Sequence, residues 1–539
     1  MKRTNIRLLC LVTALCLVLG LALGCSGTAK EQTEAASSES AAQDTGQEEQ
    51  TTVEMPAGTP PEGFSGNMPN GTPPEGFPGG FGGGTPPEGF GSMPDGTPPD
   101  GFPGGSMPDG TPPGGFGGGM GQPPSGGMPG GAPGGSASDL TYSGAVEITS
   151  ADDQSGQTYV SDTADQSALL ISTAETVTVT DPTVTKSGSS DGGDNCNFYG
   201  LNAAVLVKDG ANVTITGGSV TSDASGANGV FCYGGNGGKN GAAGDGTTLT
   251  IRDTVITTTG SGSGGIMTTG GGTTYAYDLT VTTSGQSSAA IRTDRGGGTV
   301  YVDGGTYTSN GLGSPAIYST AQIHVSNATL VSNLSEGVCI EGKNSIELTD
   351  CDLTANNTKM NGNATFLDTI MIYQSMSGDA DSGTSSFTMT GGKLTSKSGH
   401  LFHVTNTNAI ITLNGVTLVN EDGENVLLSV CDDGWSGAGN VATLNAKGQT
   451  LEGLLLVGSD STLTLNLTEG STFTGTVSGK ITNAKGSVVS SEVGTVHVTL
   501  DASSTWTLTG DAYISSFTGD VSSVITNGYT LYVNGVALT

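Results

Sequence analysis

Two arginines and two carboxylates are the most concentrated set of residues that could take part in chemistry. Arg292, Asp294 and Arg295 lie almost side by side in the chain, and Glu341 occupies a similar position in a later segment. Carboxylates can hold a divalent cation, and a basic residue can remove a proton that lies within hydrogen-bond reach. Because only two acids lie in this set, the residues favour binding over catalysis, and catalysis stays as an alternative.

Aromatic and charged side chains recur around this set at matching positions of successive short apolar segments. The candidate binding residues at these positions, which we call the predicted stripe, are Phe231, Tyr233, Arg292, Asp294, Tyr318, Glu341, Tyr373 and His403, and Arg295 lies next to them in the chain. Aromatic rings cover the apolar faces of sugars, while carboxylates and arginines bind hydroxyl groups. We therefore expect the stripe to face solvent and to bind a glycan, with Trp435 in a Gly/Ser loop as a further stacking residue. The alternative is that flanking loops, above all the inserts 234–247 and 374–385, cover the stripe and make it a second core.

Two acidic loops are candidates for calcium. Asp379 and Asp381 precede a glycine in a partial calcium-loop pattern, and Asp432 and Asp433 stand beside Trp435. Carboxylate oxygens are the ligands that calcium prefers, but the later ligands of an EF-hand are missing. Solvated turns are the alternative at both loops.

The elements that must position these residues are short strands that repeat at intervals of about 25 residues. One repeat contains apolar strands at 205–207, 213–215 and 220–221, separated by Gly, Asn and Asp corners. Since a single repeat cannot bury its apolar face, stability must come from stacking on its neighbours. The pattern predicts an all-β parallel β-helix of about ten coils over 139–459. Residues 460–539 lose the three-strand rhythm and are predicted to form an antiparallel β cap.

The N-terminus predicts secretion and a lipid anchor. A basic start and an apolar run end in Leu-Ala-Leu-Gly-Cys25, which resembles a bacterial lipobox, so 1–24 is predicted to be a signal peptide and Cys25 to carry the lipid. Residues 25–138 are acidic and then Gly/Pro-rich, with repeated Gly-Thr-Pro-Pro-x-Gly-Phe, and are predicted to be a disordered stalk at the cell surface. The five cysteines that follow have no zinc or disulfide spacing, so buried free thiols are expected, with Cys196–Cys232 as the alternative pair.

The charge balance excludes one class of partner. The formal net charge is −33, with only 17 Lys and Arg residues. Nucleic acid is not expected as a partner, because neutralising phosphates requires a basic patch.

The segments 288–300 (SAAIRTDRGGGTV) and 314–321 (SPAIYSTA) carry a family resemblance. Together with the coil pattern, they resemble pectin-lyase-like β-helix proteins, and more narrowly surface proteins of anaerobic Gram-positive bacteria. The architecture is also similar to clostridial β-helix proteins that bind polysaccharide with the help of calcium. The resemblance implies a right-handed helix and a glycan-binding or adhesin-like role. A polysaccharide lyase or glycoside hydrolase, or an envelope protein without a ligand, are the alternatives.

Overall fold

The computed structural model of the chain describes residues 140–237 and 243–539. The predicted signal peptide, lipid attachment site and stalk, which together cover 1–138, lie outside these described residues. Within the described residues, no helix is long and apolar enough to cross a bilayer. The described part is all-β apart from one short helix, Asp194–Tyr199, and one 3-10 turn, Val521–Ser523.

Most strands of the described residues form three long parallel sheets, which we call A, B and C, and the others form two small sheets of two and three strands. Sheet A has 15 strands: Ser143–Ile148, Gln166–Ser172, Val205–Lys208, Val230–Tyr233, Ile266–Thr269, Ile291–Thr293, Ile317–Ser319, Val338–Glu341, Asp368–Tyr373, His400–Thr405, Val426–Val430, Thr450–Val457, Thr472–Ser478, Thr505–Leu508 and Val524–Ile525. Sheet B has 14 strands: Gln154–Ser155, Thr176–Thr180, Asn212–Thr216, Thr248–Arg252, Gly272–Tyr277, Gly298–Asp303, Gln322–Ser326, Ser345–Thr349, Thr384–Thr390, Asn408–Asn414, Asn440–Lys447, Ser461–Thr468, Thr495–Leu500 and Ser516–Thr518. Sheet C has 10 strands: Thr158–Ser161, Thr183–Lys186, Ser219–Ser222, Val255–Thr258, Thr280–Thr283, Thr306–Ser309, Thr329–Ser332, Asp352–Ala355, Lys393–Ser396 and Thr417–Asn420.

The chain visits the three sheets in turn. Strand Val205–Lys208 of sheet A is followed by Asn212–Thr216 in sheet B and Ser219–Ser222 in sheet C. The next strand, Val230–Tyr233, pairs in parallel with the first. We call one such circuit a coil. This order is consistent with the parallel β-helix that the repeats predict.

Inward side chains stack on their equivalents in the neighbouring coils. In sheet B, Ile411 lies opposite Phe387 of the preceding coil and Leu444 of the next, and all three side chains are fully buried. Paired strands are about 4.8 Å apart, so each coil covers the apolar surface that its neighbour exposes. The core is therefore continuous along the sheets, and no coil is stable without its neighbours.

The corner between sheets B and C uses left-handed backbone in successive coils. Asp253, Asp278 and Asn327 occupy this corner with φ angles of 51°, 49° and 55°, and Gly304 takes the equivalent position with a φ of 75°. Asp, Asn and Gly adopt this conformation more readily than other residues. The corner fixes where each sheet B strand ends, so it also fixes which outward side chains align from coil to coil.

The predicted antiparallel cap over 460–539 is wrong in its main part. Strands Ser461–Thr468 and Thr472–Ser478 pair in parallel with earlier strands of sheets B and A. Only two short antiparallel pairs occur among the described residues: Ile481–Thr482 with Val488–Ser490, and Leu531–Val533 with Val536–Ala537. Sheet C ends at residue 420 while the other two sheets continue, so the three-strand rhythm disappears although parallel pairing does not.

All five cysteines of the described residues are buried and free. The prediction of buried free thiols is confirmed, and the alternative pairing of Cys196 with Cys232 is wrong. Burial raises the pKa of the Cys196 thiol to about 11 and that of Cys232 to about 12, so both are protonated at neutral pH.

A matched pair of substitutions on one strand tests the stacking of coils. Ile411 is fully buried between two coils, whereas its neighbour Ile410 points outward and is 39% exposed. We expect Ile411→Ala to lower the free energy of unfolding by about 2–5 kcal/mol, because it leaves a cavity in the stack. Ile410→Ala should change it by less than about 0.5 kcal/mol. Equal effects in urea unfolding of the two variants would contradict the inward stacking.

Candidate functional site

The predicted stripe lies on the outer face of sheet A, and chain segments cover much of it. Phe231 and Tyr233 are buried in a second apolar cluster under the helix Asp194–Tyr199. His403 is also fully buried, beneath Phe366. The expectation that these three side chains face solvent is wrong, and the alternative of a covered second core holds for both ends of the stripe.

The middle of the stripe, which we call the sheet A cluster, contains two ion pairs. Arg292 donates a hydrogen bond to Asp294 at 2.7 Å, and its guanidinium carbon lies 5.7 Å from the ring centroid of Tyr318. Arg295 pairs with Asp379 at 2.5 Å and lies over the ring of Phe198. Burial raises the pKa of Asp294 to about 6 although Arg292 opposes the shift. The prediction that these residues lie together is confirmed, but their charges neutralise one another.

Glu341 is the centre of a hydrogen-bond network in the same cluster. It accepts hydrogen bonds from the hydroxyl groups of Tyr318 at 2.5 Å and Tyr373 at 3.1 Å, and from Ser375 of the insert. Burial and the neighbouring Glu341 carboxylate hold the pKa of both tyrosines well above the usual value. Trp435 is half-buried and packs against Tyr373, with ring centroids 5.0 Å apart. The network therefore holds the insert 374–385 and the loop of Trp435 against sheet A. Few of its polar atoms remain free to bind a ligand.

The two acidic loops do not converge on a cation site. Asp381 forms an ion pair with Lys343 at 3.0 Å. Asp432 accepts a hydrogen bond from Asn440 at 2.6 Å, and Asp433 accepts one from the backbone amide of Thr365 at 2.7 Å. No group of three or more His, Cys, Asp or Glu side chains in residues 140–237 and 243–539 is placed to hold a metal ion. The geometry gives the predicted calcium sites no support.

Sequence reasoning did not identify a buried polar cluster next to the stripe. Ser429 Oγ lies 2.7 Å from Nδ1 of His403, and the other ring nitrogen of His403 lies 3.4 Å from Asp433. Ser, His and Asp are the residue types of a nucleophilic triad. Ser429 and His403 are fully buried, however, so a substrate cannot reach the hydroxyl group without removing the covering loop.

Two further carboxyl groups, Glu336 and Asp368, complete this cluster. Burial raises the pKa of Asp368 well above the usual value, and the carboxylates of Glu336 and Asp433 raise it further. One oxygen of Asp368 has no hydrogen-bond partner. Because a buried unpaired carboxylate is costly, the fold favours the protonated form of Asp368 over the charged form.

An uncovered groove crosses the outer face of sheet B. Its first wall is a ladder of Tyr275, Tyr301 and His324, which occupy the same register position in three successive coils. Ring centroids are 5.1 Å apart between Tyr275 and Tyr301 and 5.0 Å apart between Tyr301 and His324, with planes within 12° of parallel. Glu347 extends this wall by one coil and lies 2.9 Å from His324 Nδ1.

The second wall lies two residues along each strand, roughly 7 Å from the first by the rise of a β-strand. It consists of Tyr277, Asp303, Ser326 and Thr349. The groove between the walls has a volume of about 320 Å³. Its floor includes Val302 and Val325, whose side chains point into the core. We call this region the tyrosine groove.

The tyrosine groove combines exposed aromatic rings with available polar atoms. Tyr301 is 41% exposed. Asp303 accepts hydrogen bonds from Ser326 at 3.0 Å and Asn327 at 2.7 Å through one oxygen. The other oxygen has no hydrogen bond from the described residues. Rings and a few fixed polar groups are the usual lining of a site for a small molecule or a polymer segment.

The titration of Asp368 gives a pH-dependent stability. Its pKa is raised in the folded state, so the unfolded chain releases this proton first and stability falls as pH rises above about 4. We expect Asp368→Asn to reduce the decrease of the free energy of unfolding with pH. At pH 8 the variant should be more stable than the original chain by about 1–3 kcal/mol, because an amide is neutral at both pH values. Urea unfolding at pH 5 and pH 8, with the exposed Asp352→Asn as a control, measures this. An unchanged pH slope in Asp368→Asn would contradict the assignment.

No family model, curated protein or solved structure matches this chain. The candidate binding sites are therefore distinguished by their geometry. The sheet A cluster and the buried cluster are closed or internally paired, and the tyrosine groove is open.

Proposed function

We propose that this chain is a surface protein that binds polysaccharide through the tyrosine groove of a right-handed parallel β-helix. The observation that carries the proposal is the exposed ladder of Tyr275, Tyr301 and His324 beside hydrogen-bonding side chains. Sugars present apolar C–H faces and hydroxyl groups together, so a surface of rings and carboxylates is complementary to them. Because the groove crosses the strands and is open, it suits a segment of a long chain.

The charges of the groove argue against two other partners. Asp303 and Glu347 place carboxylates on opposite walls, which would repel the phosphates of a nucleic acid. A hydrophobic peptide would need apolar pockets, and the groove instead offers tyrosine hydroxyl groups and polar walls. The proposal does not include catalysis, because both arginines of the sheet A cluster are already paired with carboxylates.

Tyr301 provides the direct test of this function. We expect Tyr301→Ala to weaken binding to a recognised polysaccharide about tenfold, because an interfacial aromatic ring contributes roughly 1 kcal/mol or more. Tyr301→Phe should keep most of the affinity, since the ring remains. Pull-down on insoluble polysaccharides followed by titration with the soluble oligosaccharide measures the effect.

Tyr513→Ala is the matched control. Tyr513 is 49% exposed and stacks on Tyr532 with centroids 4.7 Å apart, so it is also an exposed, stacked tyrosine, but it lies outside the groove. Its substitution should leave binding unchanged. If Tyr301→Ala bound as tightly as the original chain, the groove would not be the site.

The same proposal includes attachment of the chain to the outer face of the cell membrane through a lipid on Cys25. Its support is the lipobox-like end of the apolar N-terminal segment. We expect Cys25→Ser to move the protein from the membrane fraction to the culture medium, because the acyl chains that hold it would be absent. Cys431→Ser, at a buried cysteine, is the control. Retention of Cys25→Ser in the membrane fraction would contradict the anchor.

A further inference from the structure

We propose that the tyrosine groove selects polysaccharides that carry free, protonated amino groups. This inference rests on the proposed function and adds the chemical class of its ligand. It follows from the charges that line the groove, from a cation already bound to one of its rings, and from the charge of the chain.

Both walls of the groove present a carboxylate to the ligand. Glu347 continues the wall of Tyr301 and His324, and Asp303 stands in the opposite wall beside Tyr277. Hydrogen bonds from neighbouring side chains engage Asp303 and Glu347 through one oxygen each, and the second oxygen of each has no hydrogen bond from the described residues. An ammonium group has three donors and no acceptor, so it can satisfy these oxygens while a neutral amide or hydroxyl does so more weakly.

One ring of the groove is in contact with a cationic side chain of the protein itself. The guanidinium carbon of Arg252 lies 3.7 Å from the ring centroid of Tyr277. Arg252 precedes Tyr277 in the same column, so it occupies the ring from the side away from Asp303. Cations are attracted to the electron-rich faces of tyrosines, and a nearby carboxylate adds to this attraction. The tyrosines and carboxylates are therefore arranged to receive positive charge.

The net charge of the chain also favours polysaccharides that carry protonated amino groups. With a formal net charge of −33, the chain repels polyuronates and phosphate-bearing polymers and attracts polycations. Among the residues that line the groove, His324 is the only basic one, and its Nδ1 lies beside Glu347. The one cation next to the lining that we have described, Arg252, lies over the ring of Tyr277, so the two carboxylates outnumber the basic residues that line the groove.

The test compares two oligosaccharides that differ only in the amine. A chitosan oligosaccharide carries free amino groups, and its fully N-acetylated counterpart has the same backbone without charge. We expect the full-length chain to bind the chitosan oligosaccharide about tenfold more tightly in calorimetric titration, and the difference to shrink as salt is raised. We expect Asp303→Asn combined with Glu347→Gln to reduce binding of the chitosan oligosaccharide by roughly three- to tenfold and to leave the acetylated one unchanged.

A second double variant separates local contacts from the general charge. Asp223→Asn with Asp352→Asn removes the same charge from exposed positions at sheet C. It should bind the chitosan oligosaccharide as the original chain does. If it weakened binding as much as the groove variant, the preference would come from net charge and the groove assignment would be overturned.

The outcomes also separate this inference from the proposed function. Equal or tighter binding of the acetylated oligosaccharide, still weakened by Tyr301→Ala, would overturn the selection of amines and leave glycan binding by the groove in place. Loss of the amine preference in Asp303→Asn with Glu347→Gln supports the inference. Failure of the chain to bind any polysaccharide tested, these two included, would overturn both.

Discussion

The stacking of inward apolar side chains between successive coils is the interaction on which the rest of the structure depends. Ile411, for example, lies between Phe387 and Leu444, its equivalents in the two neighbouring coils, which are 24 and 33 residues away in sequence. This stacking fixes the register of the strands to the residue, because a shift by one position would turn every apolar side chain outward. The same register aligns the outward side chains of successive coils in columns. The packing of the core therefore decides which outward side chains lie next to one another.

The tyrosine groove is a direct product of that register. Tyr275, Tyr301 and His324 alternate with core residues on their strands, and their rings stack at 5.0–5.1 Å, close to the spacing of paired strands. No catalytic group or metal is needed to explain it. In the proposed function, this groove would contact a ligand through the length and regularity of its ladder.

Much of the fold could be predicted from the sequence, since apolar alternation and corner residues such as Asp278 report directly on strand positions. The antiparallel cap was predicted wrongly because sheet C ends before sheets A and B do, which changes the rhythm without changing the pairing. The covering of His403 by Phe366 could not be predicted, because it depends on a loop that folds back from a different coil. The strands of sheet A alone do not indicate the groove. An alignment of Gly272–Tyr277 with Gly298–Asp303 in sheet B places Tyr275 beside Tyr301.

The central claim is that ligand contacts lie on sheet B and not on the loop-covered face of sheet A. Oxidative footprinting of the full chain, read by mass spectrometry, compares the solvent access of individual aromatic side chains with and without a bound oligosaccharide. We expect the ligand to protect Tyr277 and Tyr301 while Trp435 and Tyr513 react as before. Protection of Trp435 with no change at Tyr301 would contradict it.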